Sequence, residues 1–134
     1  MGCVLRVYGE GLDIDALLSS VNLNAVVTWK TGQERLKGRF HSDSGANFVA
    51  SDADIEDFPR AIVETNFFLA QNYDELYKLT STPGVAGAVL DFAVATQPGR
   101  VIQTSNFSIA FLQRMADLNL ALAVSHYPTV DISR

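Results

Sequence analysis

The chain has 134 residues, 48% of them apolar and 19% charged, a globular composition that excludes a disordered chain. Ten basic residues against fifteen acidic ones give a net charge of −5, so phosphate backbones and anionic membranes are poor partners and a basic protein surface is a better one. One domain over residues 1–134 is expected.

Val4, Leu5, Val7 and Tyr8 predict a first strand, ended by Gly9-Glu10-Gly11. The same stretch lacks a basic region, an apolar core and a small-residue cleavage site, and Arg6 stands where a myristoylation motif wants Ser or Thr. No run reaches the roughly 18 consecutive apolar residues of a membrane span, and a cytoplasmic location is the expectation. Asp13 caps a helix with Ile14, Leu17, Leu18 and Val21 at helical spacing, and Asn22 is expected to stop it in the left-handed conformation. Ala25 to Trp29 is apolar and partly β-branched, a second strand. Residues 31–46 are polar with Gly32, Gly38 and Gly45, a hairpin connection holding a short extra strand around Arg39 to His41.

Asn47 to Ser51 is a third strand. Asp52, Asp54, Glu56 and Asp57 then lead into Phe58-Pro59, a helix start, and the helix is expected to turn Ile62, Val63, Phe67, Leu69 and Ala70 inward. Asn72-Tyr-Asp-Glu75 reads as a capping box, which breaks the helix near Gln71 and begins a second piece bearing Leu76, Tyr77 and Leu79. Ala88 to Thr96 is a strand, Gln97-Pro-Gly-Arg100 a type II turn, and Val101 to Phe107 an antiparallel return. Ser108 caps a last helix that buries Phe111, Met115 and Leu118; Asn119 stops it, and Leu120 to Tyr127 is the final strand. The tail after Pro128 is expected to be loose.

The chain thus repeats itself. A cap, a short amphipathic helix, an Asn-Leu stop and an apolar strand occur from Asp13 to Trp29 and again from Ser108 to Tyr127. The fold class that follows is α+β: a mixed, mostly antiparallel sheet of six or seven strands, helices on one face, and ferredoxin-like strand–helix–strand units at both ends. Each unit is expected to hold two parallel strands joined by a crossover helix.

Chemistry-bearing patterns are sparse. The acids at 52–57 suit a helix N-terminus better than a metal site, since no calcium-loop pattern is present. No metal ligands and no cofactor are expected. His41, in Phe-His-Ser-Asp, and His126 lack metal spacing, and no Gly-x-Ser-x-Gly elbow occurs. Cys3 lies in an apolar strand and reads as a buried thiol. Glu10 at the end of the first strand, Trp29 at the end of the second, His41 and His126 are the candidate ligand-binding residues; no catalytic residue is assigned.

Leu5-Arg-Val-Tyr-Gly9 with Leu12-Asp13-Ile14, Lys37-Gly38, Leu76-Tyr77-Lys78-Leu79 and the run from Leu112 to Leu122 with Tyr127 together resemble an uncharacterised bacterial family, the domain of unknown function 4279. The tryptophan common at that family's third strand is replaced by Asn47-Phe48. The resemblance implies a compact α+β domain and no activity. Two function classes stay open: a non-enzymatic protein-interaction module, immunity-type or regulatory, and a small-molecule-binding domain or modest enzyme with a pocket between the sheet and the 31–46 loop. A mean hydropathy of +0.12 leaves apolar surface for a partner, and a homodimer is expected.

Overall fold

In a computed structural model, which describes residues 1–99 and 101–128, alternation and helical periodicity resolve into seven strands and four helices. The strands are β1 (Cys3–Gly9), β2 (Val27–Trp29), β3 (Glu34–Leu36), β4 (Arg39–Phe40), β5 (Ser44–Ser51), β6 (Gly87–Thr96) and β7 (Ala121–Pro128). The helices are α1 (Ile14–Ser20), α2 (Phe58–Gln71), α3 (Tyr73–Ser81) and α4 (Ile109–Asp117). The main sheet has five strands, not six or seven, in the order β2-β5-β1-β6-β7; β3 and β4 form a separate two-stranded ribbon. Among the described residues only the β6–β7 pairing is parallel.

The two strand–helix–strand units differ in how they enter the sheet. β6 and β7 are parallel neighbours joined across α4. β1 and β2 also run in the same direction, but β5 inserts between them and pairs antiparallel with both. The first unit therefore keeps its two strands parallel without making them neighbours. The expected strand over Val101–Phe107 is absent, because β6 already has β1 on one side and β7 on the other and offers no edge to a returning strand. The Gln97–Gly99 turn stands, with Gly99 at φ 77, while Arg100 and the tail beyond Pro128 lie outside the described residues.

Alternation in the strands sends Cys3, Leu5 and Val7 of β1, Phe48 of β5 and Leu90, Phe92 and Val94 of β6 into one apolar cluster with the helices. Phe92, Phe58, Phe107 and Phe111 pack there as an aromatic group with ring centroids 5.4–6.4 Å apart. Asp13 and Ser108 cap α1 and α4 as expected, accepting from Ala16 N–H and Phe111 N–H. The stops are unequal. Asn119 is left-handed at φ 59, whereas α1 ends at Val21 in an extended conformation and Asn22 is not left-handed.

The long helix breaks at Asn72, but not through a capping box. The Asn72 Nδ2 donates back to the Phe68 carbonyl, and Glu75 accepts from the Asn22 N–H at 2.9 Å instead, tying α3 to the end of α1. That hydrogen bond, with Lys78 beside it, holds the Glu75 carboxyl below its ordinary range. The face of α2 is also corrected. Phe58, Ala61, Thr65 and Leu69 point inward, while Val63 and Phe67 are 69% and 63% exposed. The buried stripe uses three- and four-residue steps that pass through the small residues Ala61 and Thr65. The larger Val63 and Phe67 fall on the opposite side.

Candidate functional site

Glu10 directly follows β1, Trp29 ends β2 and Ser44 begins β5, so the sheet order brings these residues to one end of the sheet. Trp29 lies over Gly45, where any Cβ would meet its indole at 2.3 Å, and its Nε1 donates to Asp43 at 2.9 Å. His41 stacks on the same indole with centroids 5.7 Å apart. The Thr31 N–H donates to Ser44 Oγ at 3.0 Å, and the Thr31 hydroxyl reaches the Glu10 carbonyl at 3.3 Å. Of the four sequence candidates, Glu10, Trp29 and His41 share this end. His126 does not; it is exposed on β7, beside Val94, at the far edge of the sheet.

A cleft of about 490 Å³ opens between the start of α1 and the hairpin, lined by Glu10, Asp13, Asp15, Lys30, Thr31 and Ser44. Lys30 Nζ sits 2.7 Å from Asp15, which raises the lysine pKa, and both side chains are largely exposed. The polar groups here serve one another. Asp43 is taken by the indole, Ser44 is buried against Thr31, and among the described residues the His41 ring has no hydrogen-bonded acid to orient it. The arrangement anchors the hairpin to the sheet.

The other sequence features resolve in the same way. Burial pushes the Cys3 thiol up to about 12, and the Thr65 hydroxyl offsets only part of this. In the acidic run, Asp54 accepts from the Glu56 N–H and Asp57 caps α2 through the Arg60 N–H. Among the described residues no three His, Cys, Asp or Glu side chains are grouped to hold a metal. No described helix is long and apolar enough to cross a membrane.

The surface that sequence reasoning missed is the β2/β5 edge. β2 covers only residues 45–47 of β5, so Phe48 to Ser51 has no neighbouring strand on that side. Beside this bare segment a groove of about 540 Å³ runs along α2, lined by Val49, Asp52, Val63, Glu64, Phe67 and Phe68. Glu64, held below the usual carboxylate range by Arg60 and Ser51, closes one wall. Val63 and Phe67, read from their spacing as inward, are instead the exposed wall of this groove.

At the other end of the same edge the β3–β4 ribbon stands off the sheet with every strand residue exposed, including Leu36 at 61% and Phe40 at 62%. No protein-family model, curated protein or solved structure matches this chain.

Proposed function

We propose that this protein is a non-enzymatic interaction module, of immunity or regulatory type, that binds a protein partner through its β2/β5 edge. One observation carries the reading: five large apolar side chains left in solvent lie along an edge with uncovered strand backbone. The other strongly exposed ones, Val101, Ile102 and Ile109, lie between β6 and the start of α4, away from that edge. Val27, Leu36, Phe40, Val63 and Phe67 are each more than half exposed and flank backbone that no strand covers. An uncovered strand beside an apolar groove binds extended protein segments, with main-chain hydrogen bonds for affinity and the groove for specificity. The net charge of −5 favours a basic partner. The polar cleft near Glu10 supports the small-molecule alternative less well, because its hydroxyls and Asp43 are engaged by the hairpin itself.

The test is photo-crosslinking in cells from an unnatural benzophenone side chain placed at position 67, with position 126 on the opposite edge as the comparison. A discrete protein adduct from position 67 and none from position 126 is expected. Adducts only from position 126, or none from 67, would remove the reading. His41→Ala and His126→Ala are expected to leave the adduct from position 67 unchanged.

A further inference from the structure

Charge along the β2/β5 edge is segregated. Residues 30–41 hold four of the chain's ten basic residues, Lys30, Arg35, Lys37 and Arg39, against one acid, Glu34. Lys30 is engaged by Asp15, whereas Arg35, Lys37 and Arg39 have no ion-pair partner among the described residues. This is a basic arm with Leu36 and Phe40 exposed on it. The uncovered half of β5 has the opposite character. Its groove is apolar, with Asp52 on its lining and Asp54 two residues further on. Glu56 and Asp57 turn to a separate cavity beside Val94 and Gln97, and the nearby base, Arg60, is spent on Glu64 at 2.9 Å.

Resting on the edge-binding reading, we propose that the occupant of this notch is a second copy of the chain: the β3–β4 arm of each protomer lies in the notch of the other. Arm and notch sit at opposite ends of one edge, so a two-fold axis across it brings each arm to the other protomer's notch and closes the assembly as a dimer. The longer strand of the ribbon, Glu34–Leu36, spans about 10 Å, most of the roughly 13 Å of bare β5. An arm strand there would complete the ladder beyond β2, set Leu36 and Phe40 against Val63 and Phe67, and bring Arg35, Lys37 and Arg39 to the acidic rim. The same contacts would cover the apolar side chains that the isolated protomer leaves in water. Charge then also selects the register, because arm against arm or notch against notch would place like charges together.

Two charge-reversed proteins test this. The arm variant carries Arg35→Glu, Lys37→Glu and Arg39→Glu; the notch variant carries Asp52→Lys and Asp54→Lys. Every substituted side chain is exposed. Circular dichroism and a thermal melt establish that each variant folds. Sedimentation at micromolar concentration is expected to show the wild type near twice 14.6 kDa and each variant alone as a monomer. An equimolar mixture of the two variants is expected to restore the dimer. Phe67→Asp is expected to abolish dimerisation without charge reversal on the arm.

Raising the salt is expected to weaken the wild-type dimer, because the arm–rim ion pairs lie at the solvent boundary. A wild type that is monomeric throughout, a dimer indifferent to either reversal, or a mixture that stays monomeric would overturn the proposal. The crosslink from position 67 separates this from the broader reading. An adduct to a different protein overturns the self-pairing and keeps the interaction module, and absence of any adduct overturns both.

Discussion

β7 runs eight residues and pairs with β6 along its whole length, whereas β2 runs three and leaves half of β5 bare. The two strands follow similar capped helices and similar Asn-Leu dipeptides. Local signals therefore decide that a strand–helix–strand unit forms; they do not decide how completely its second strand is used. That depends on which strand lies beside it. β7 lies beside ten-residue β6, and β2 lies beside a β5 whose far half is left to the α2 groove.

The comparison can be broken most forcefully at the C-terminal unit. Phe111 is 1% exposed and packs on Phe92 and Phe107, so Phe111→Ala is expected to cost about 3–5 kcal/mol in urea unfolding. A loss below about 1 kcal/mol would mean that α4 does not anchor its unit through this ring. At the N-terminal unit the corresponding lever is the junction of β2 and β5. Gly45→Ala would place a methyl into the Trp29 indole and against the Val7 carbonyl, and is expected to cost about 1–3 kcal/mol. The tryptophan emission should shift to the red as the indole lifts from the sheet. An unshifted spectrum with full stability would show that β2 is not seated by that contact.

The two Asn-Leu stops provide a finer discrimination. Asn119→Ala forces an alanine into the left-handed region and is expected to cost about 1–2 kcal/mol, while Asn119→Gly is tolerated. Asn22→Ala is expected to cost below about 0.5 kcal/mol, because that residue contributes its backbone N–H, which alanine retains. Equal costs would mean that the two helices end alike after all. The partner of that N–H, Glu75, has a depressed pKa, so its contribution is present above the ordinary carboxylate range and lost as pH falls through the folded value. Glu75→Gln should accordingly flatten the acid side of the stability profile.

Cys3, on the strand between β5 and β6, gives the smallest effect at neutral pH. Its thiol is raised from an ordinary value near 9 to about 12, so the folded state retains a proton that the unfolded state releases between those values. Stability should therefore fall as pH rises from 9 toward 12, and Cys3→Ala should remove that slope. The native thiol should also resist a disulfide reagent at pH 7 that labels the unfolded chain readily.

Element types were largely legible in the sequence because caps and periodicity are local. Asp13 and Ser108 cap helices where their side chains predict it, and the acidic run does mark the start of α2, where Asp57 caps. Two errors had non-local causes. Val101 to Phe107 has strand composition, but the sheet offers it no edge; Phe107 goes into the aromatic core instead. Val63 and Phe67 are apolar at helical spacing, yet the buried stripe of α2 passes through Ala61 and Thr65, whose small side chains let the helix approach the sheet. The candidate site was legible in part: Trp29 and His41 stack, and Glu10 lies at the same end of the sheet, because each lies at a strand end or in the connecting hairpin. The edge groove was not legible, since it exists only through the shortness of β2 relative to β5.

Residues 97–99 and 101–106, between β6 and α4, lie in no helix or strand, with Val101 almost wholly exposed, and no described ladder passes through them. The polypeptide can thus be divided there into two pieces of unequal size without cutting a strand or a helix. The smaller piece would carry α4 and β7, and the larger would present an uncovered β6 and the Phe58–Phe92 rings that Phe107 and Phe111 complete. Expressed separately, the pieces should find each other and reconstitute the native fold, which makes this loop a natural seam for circular permutation and for split reporters built on the scaffold.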